Sequence, residues 1–120
     1  EFGDPHVDYI VVPGTKGLEA ALLVRDTHGT TLILNEVIFN VANISGMRGW
    51  LMKTLGMTGD EPHMPAVFKM REVDDKEALA RQLSDWSRLP DLQRVIVSHG
   101  DIIANDAADG LGRIATELRA

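Results

Sequence analysis

A chain of 120 residues with 44% hydrophobic and 25% charged side chains has the composition of a folded globular domain. Its formal net charge of -6, with no run of Lys or Arg, speaks against the cationic footprint that a nucleic-acid backbone requires. The absence of cysteine excludes disulfides, thiolate nucleophiles and cysteine-based zinc sites, and no apolar run approaches the roughly 18 residues of a membrane span. The expectation is a soluble, cytoplasmic chain with no nucleic-acid and no membrane partner. The opening Glu1-Phe2-Gly3-Asp4-Pro5 lacks an initiator methionine, which leaves open an internal cut of a longer product.

The first elements read as strands. Val7 to Val12 is a β-branched run closed by Pro13-Gly14. Leu18 to Arg25 and Thr30 to Leu34 are β-prone runs, and Asp26-Thr27-His28-Gly29 between them suits a hairpin connection. A three-stranded meander is expected.

From Ile44 the period changes. Met47, Leu51 and Leu55 recur at four-residue spacing, with Asn43 or Ser45 available as cap and Gly56 as stop. Met57 to Pro65 holds Gly59, Pro62 and Pro65, which break both periodicities and predict an exposed loop. Asp74 followed by Glu77 resembles an acidic capping box, after which Leu79, Leu83 and Trp86 line one face until Pro90. Arg94 to Val97 reads as a buried strand. From Asn105 to Leu118, Ala107, Leu111, Ile114, Ala115 and Leu118 form one helical stripe, weakened by Gly110 and Gly112. The order is β-β-β-α-(α)-α-β-α: an α/β (α+β) domain over residues 1–120 with a mixed sheet and helices on one face.

Two strand ends carry chemistry. Val95-Ile96-Val97 runs into Ser98-His99-Gly100-Asp101, and Thr31 to Phe39 passes through Asn35-Glu36. Open α/β sheets place ligands at such carboxyl ends, which makes His99 and Glu36 the candidate metal ligands. Each has a plainer role open to it: the His99 ring can bond backbone or Asp101, and Glu36 can cap a turn or pair with Arg48 or Lys53. His6, His28 and His63 lie in separate segments without the H-x-H or H-x-x-x-H spacing that puts two rings on one ion. Pro13-Gly14-Thr15-Lys16-Gly17 suits either an anion-cradling nest or a tight loop, and it lacks the P-loop order. Ser45 and Ser98 are not framed by G-x-S-x-G, so no catalytic serine is expected. Methionines 47, 52, 57, 64 and 70 fill core gaps or mark an adaptable contact surface.

Taken in order, Val11-Val12-Pro13-Gly14-Thr15-Lys16-Gly17, the strand Ala20 to Val24, the run Thr31 to Phe39 and the strand end Val95 to Gly100 resemble the carboxy-terminal half of the metallo-β-lactamase superfamily. The resemblance implies half of an αββα sandwich, with Glu36 at or beside the metal-bridging aspartate and His99 as a second-metal ligand. The family's H-x-H-x-D-H motif is absent, and Thr15 or Lys16 replaces the loop histidine. The chain is therefore expected to be catalytically silent alone and to hold no cofactor of its own, zinc entering only if another segment completes the site. Half a sandwich exposes one apolar sheet face, so the expected partner is a missing amino-terminal half or a second copy forming a homodimer. Two other readings stand beside this: a piece of an intact zinc-dependent hydrolase, and a small non-enzymatic binding module using the methionine-rich helix and the Met57 to Met70 segment.

Overall fold

A computed structural model describes residues 3–120; Glu1 and Phe2 of the opening segment lie outside the described residues. Four strands and four helices follow the expected order: β1 (Val7–Val11), β2 (Ala20–Asp26), β3 (Gly29–Ile33), α1 (Gly46–Thr54), α2 (Ala66–Arg71), α3 (Lys76–Ser87), β4 (Leu92–Ile96) and α4 (Ala107–Arg119). The protein is a mixed α+β fold with one four-stranded mixed sheet, ordered β1-β2-β3-β4. The first three strands form the expected antiparallel meander, with Asp26 opposite Gly29 across a two-residue turn. β4 joins β3 in parallel, with Ile33 opposite Ile96.

Alternation along the strands sorts the sheet into two unlike faces. Ala21, Leu23, Leu32 and Val95 point inward and are buried in one core with Leu79, Leu83 and Trp86 of α3 and Leu111, Ile114 and Leu118 of α4. The opposite face presents Tyr9, Val11, Leu22, Val24, Ile33 and Ile96, which are half-buried or exposed, and among the described residues no helix buries them. The mixed sheet with α3 and α4 packed on one face agrees with the expected α+β domain.

Local chemistry explains the helix ends, with one adjustment. The cap of α3 is Asp75, not Asp74: its carboxylate accepts from the Ala78 N–H at 3.0 Å. Asp74 instead faces the Pro13–Gly17 loop, where it accepts from the Lys16 N–H at 3.4 Å. Ser45 stands at the N-cap of α1 without a side-chain bond, and Asp106 opens α4 in a left-handed conformation with φ 53°. Arg119 at the end of α4 grips Glu77 at the start of α3 through two bonds of 3.1 Å. That guanidinium holds the Glu77 carboxyl below its usual range, so the contact persists above the ordinary carboxylate pKa and is lost as pH falls through the lowered one.

The Met57 to Pro65 segment is a loop, but it is pinned rather than free. Phe39 and His63 exchange backbone hydrogen bonds of 2.7 and 2.9 Å, and Thr58, Met64 and Pro65 are buried. Both ring nitrogens of His63 reach carbonyl oxygens, of Gly56 at 3.0 Å and Glu61 at 3.1 Å, which assigns that histidine to loop architecture.

Trp86 is 3% exposed between α3 and the rest of the core. Trp86→Ala is expected to lower stability by roughly 3 to 5 kcal/mol. A urea titration showing no loss would contradict the packing of α3 described above.

Candidate functional site

The parallel pairing of β3 and β4 directs both chains toward the same sheet edge. The Leu34 N–H donates to the Ile96 carbonyl at 2.9 Å, and one step beyond, the Ser98 hydroxyl donates to the Asn35 side-chain oxygen at 2.7 Å. Glu36 and His99 therefore emerge side by side, with His99 Nε2 3.6 Å from Glu36 Oε1. Both side chains are about half exposed. The two residues singled out at strand ends are brought together.

Phe39 forms the floor of this pair. Its ring lies 4.3 Å from the His99 ring, centre to centre, at an interplanar angle of 31°. The contact depends on Gly100: Asn40 N–H donates to the His99 carbonyl at 3.0 Å and Asp101 N–H to the Asn40 carbonyl at 3.1 Å, so the two segments lie almost in backbone contact. A Cβ at Gly100 would sit 2.1 Å from the Asn40 carbonyl oxygen, and its φ of +105° disfavours any other residue. The glycine after His99 is thus a requirement of close chain approach.

Behind Glu36 stands a residue that the strand-end argument passed over. Glu19 is 5% exposed, and its carboxylate accepts from the Glu36 N–H at 3.2 Å. Burial pushes its carboxyl above the usual range, opposed by hydrogen bonds from the Glu36 N–H and the Asn35 side chain and reinforced by the Glu36 charge. Ser98, Asn35, Glu19 and the Glu36 backbone thereby form one polar chain beneath the exposed pair. A signal for Glu19 was present: it shares the parity of Ala21 and Leu23, the inward-facing positions of the next strand.

Beside this edge opens a cleft of about 240 Å³ lined by Glu36, Phe39, Met57, Val67, Phe68, Arg71 and Glu72. A shallower hollow of about 310 Å³ lies on the uncovered sheet face, among Tyr9, Ala20, Leu22, Ile33, Asn35 and Ser98.

The remaining candidates take structural places. The Gly14 carbonyl accepts from the N–H groups of Asp74 and Asp75 at 2.9 and 3.4 Å, and Lys16 Nζ donates to the Arg71 carbonyl at 2.7 Å. Those contacts make the Pro13–Gly17 segment a packed connector that docks on α3. His28 projects from the hairpin tip beside Asp26, and His6 is exposed before β1. Ser98 gives its hydroxyl proton to an amide oxygen and not to a base, which leaves it without activation as a nucleophile.

Among the described residues, no group of three or more His, Cys, Asp or Glu is placed to hold a metal ion. Glu36 and His99 supply two donors where a catalytic zinc takes three from protein, so the residues present do not make that site by themselves. Among the described residues, no helix is long and apolar enough to cross a membrane. No family model matches the chain, and no curated protein is significantly similar to it.

Burial of a carboxylate predicts a specific pH response. Because the Glu19 carboxyl is raised in the folded protein, the folded state holds its proton more tightly, and this residue's contribution favours folding at low pH and fades as pH rises through the raised value. Glu19→Gln removes that dependence. Urea midpoints at pH ~4 and pH ~7 are expected to shift in favour of the variant at the higher pH; an equal difference at both would show that burial does not perturb Glu19.

Proposed function

We propose that this chain is a metallo-β-lactamase-like half-domain, catalytically silent alone, whose uncovered sheet face is completed by a second sheet. Either a missing amino-terminal half or a second copy supplies that sheet. The observation that carries the reading is the outer face itself. Across the four paired strands it is mostly apolar, with polarity entering through the Thr31–Arg94 pair and through Asp26 at the hairpin end.

The size of the face supports a docking role. Four strands about 4.8 Å apart, each about five residues long at ~3.3 Å per residue, cover roughly 300 Å² in projection. Patches of about 300–600 Å² are the largest that soluble monomers ordinarily expose, and those are frequently functional. A solvated antiparallel sheet face would instead alternate toward polar residues.

Glu36 and His99 fit the same reading. They converge at the edge toward which β3 and β4 run in parallel, and two donors there need ligands from elsewhere to hold zinc. In a completed assembly they are the residues that would contribute to a metal centre. The activity of such an assembly belongs to the completing segment as much as to this one.

A second reading draws on α1, whose apolar side chains project into solvent: a small binding module that uses this helix as its contact surface.

Native mass spectrometry of the 13.2 kDa chain, with and without zinc, separates these. A homodimer that is indifferent to zinc and to substitution of Met47 and Trp50 on α1 supports self-completion. Stoichiometric zinc, or a co-purified second fragment, establishes a piece of a working hydrolase. A monomer at high concentration that binds no zinc and no hydrophobic dye overturns the proposal, because its outer face would then be satisfied by water.

A further inference from the structure

The sequence pattern predicts α1 as an amphipathic helix, and the structure shows where its apolar side faces. Met47 is 86% exposed and Trp50 66%, and Leu51 and Leu55 are also exposed; within the helix only Gly49 is buried. At ~100° per residue these four side chains span an arc of roughly 140° that also contains the exposed Thr54, bordered by Arg48 on one side and Lys53 on the other. The adjoining α2 continues the theme with Met70, 83% exposed, and the basic pair Lys69 and Arg71. The two helices adjoin, since a Cβ on Gly56 after α1 would meet Ala66 at the start of α2 at 2.8 Å.

Charge is segregated here against the trend of the molecule. The chain carries 18 acidic and 12 basic residues, yet α1 and α2 hold four of the basic residues and none of the acidic ones. No Asp or Glu occurs between Glu36 and Asp60. A cationic, apolar island on an acidic protein selects an anionic and apolar occupant. On α1 the island is a row of projecting side chains, set apart from the cleft that α2 lines, so α1 suits a deformable surface into which side chains insert more than a helix seeking a slot. Basic residues flanking an apolar arc that contains tryptophan is the pattern of helices lying in the plane of a lipid interface.

We infer that α1, supported by α2, docks this protein on the surface of an anionic lipid bilayer, inserting Met47, Trp50 and Leu51 while Arg48 and Lys53 meet the headgroups. The contact is peripheral and spans nothing, and it departs from the expectation of no membrane partner, which rested on the lack of a spanning segment. Acidic groups border the island: Glu72 follows Arg71, Glu36 lines the same cleft as Arg71, and Asp60 is bonded to Asn43 just ahead of α1, so the attraction to headgroups rests on the exposed Arg48 and Lys53 and weakens with salt.

The test is co-sedimentation of the 120-residue protein with large vesicles of phosphatidylcholine, alone or with a third phosphatidylserine. Binding to the phosphatidylserine vesicles is expected, falling with added salt and accompanied by a blue shift of Trp50 emission; Trp86 is already buried and contributes little to the change. The paired variants Met47→Ser with Trp50→Ser, and Arg48→Gln with Lys53→Gln, alter exposed side chains only and are expected to keep the circular dichroism spectrum while binding about tenfold more weakly. Absence of binding, equal binding to both vesicle types, or undiminished binding by both paired variants would overturn the inference. So would a protein dimer that the Met47/Trp50 variant dissolves without any vesicle binding, since that would assign the face to self-association.

Discussion

Thr31 and Arg94 stand 63 residues apart in sequence, yet they lie opposite one another in parallel strands, and much of the architecture depends on that adjacency. Parallel neighbours need a long crossover, and here it contains α1, the pinned Met57–Pro65 loop, α2 and α3. The pairing sets two consequences at once. It ends both strands at one sheet edge, bringing Asn35-Glu36 beside Ser98-His99. It also adds Ile96 to the row of Leu22 and Ile33 on the uncovered face. The candidate site and the candidate interface are therefore adjoining products of one ladder, and the hollow among Leu22, Ile33, Asn35 and Ser98 is where they meet.

Around that ladder, glycines allow approaches that any side chain would block. Gly100 lets the 39–41 segment lie against the strand end and so seats Phe39 beneath His99. Gly14 lets the connector between β1 and β2 rest on the first turn of α3, where a Cβ would lie 2.2 Å from the Asp75 carbonyl oxygen. The polar chain through Ser98, Asn35 and Glu19 then keeps the Glu36 backbone in place from behind. The exposed pair is thus mounted on a supported frame, although only two of its groups have metal-ligand chemistry suited to an outer partner.

Much of this is legible in the amino-acid sequence. Strand alternation and the helical stripes of α3 and α4 predict the core, because those residues must be buried somewhere and their periods leave one arrangement of faces. Glu36 and His99 could be selected because the positions after buried strands are where such sheets collect chemistry. Three things were less accessible. The inward parity of Glu19 was readable, but a lone acid at a strand start is usually solvated, and only the three-dimensional approach of residues 35 and 36 supplies the N–H that makes burial tolerable. The loop after Met57 has breakers enough to look free, and its anchor is the long-range Phe39–His63 exchange that no local pattern contains. Periodicity identified the apolar side of α1, yet period alone reports which residues share a side and not whether anything covers them.

One face of the sheet is filled by α3 and α4, and the central proposal is that the other is kept for a second sheet. Leu22 and Leu23 are neighbours on β2 that point to opposite faces, and Leu23 belongs to the core. The most direct measurement is sedimentation equilibrium combined with circular dichroism on Leu22→Asp and Leu23→Asp. The account predicts that Leu23→Asp unfolds the chain, whereas Leu22→Asp retains the fold and abolishes association with a second copy or with the completing fragment. Unfolding by Leu22→Asp, or association unchanged by it, would contradict the assignment of that face.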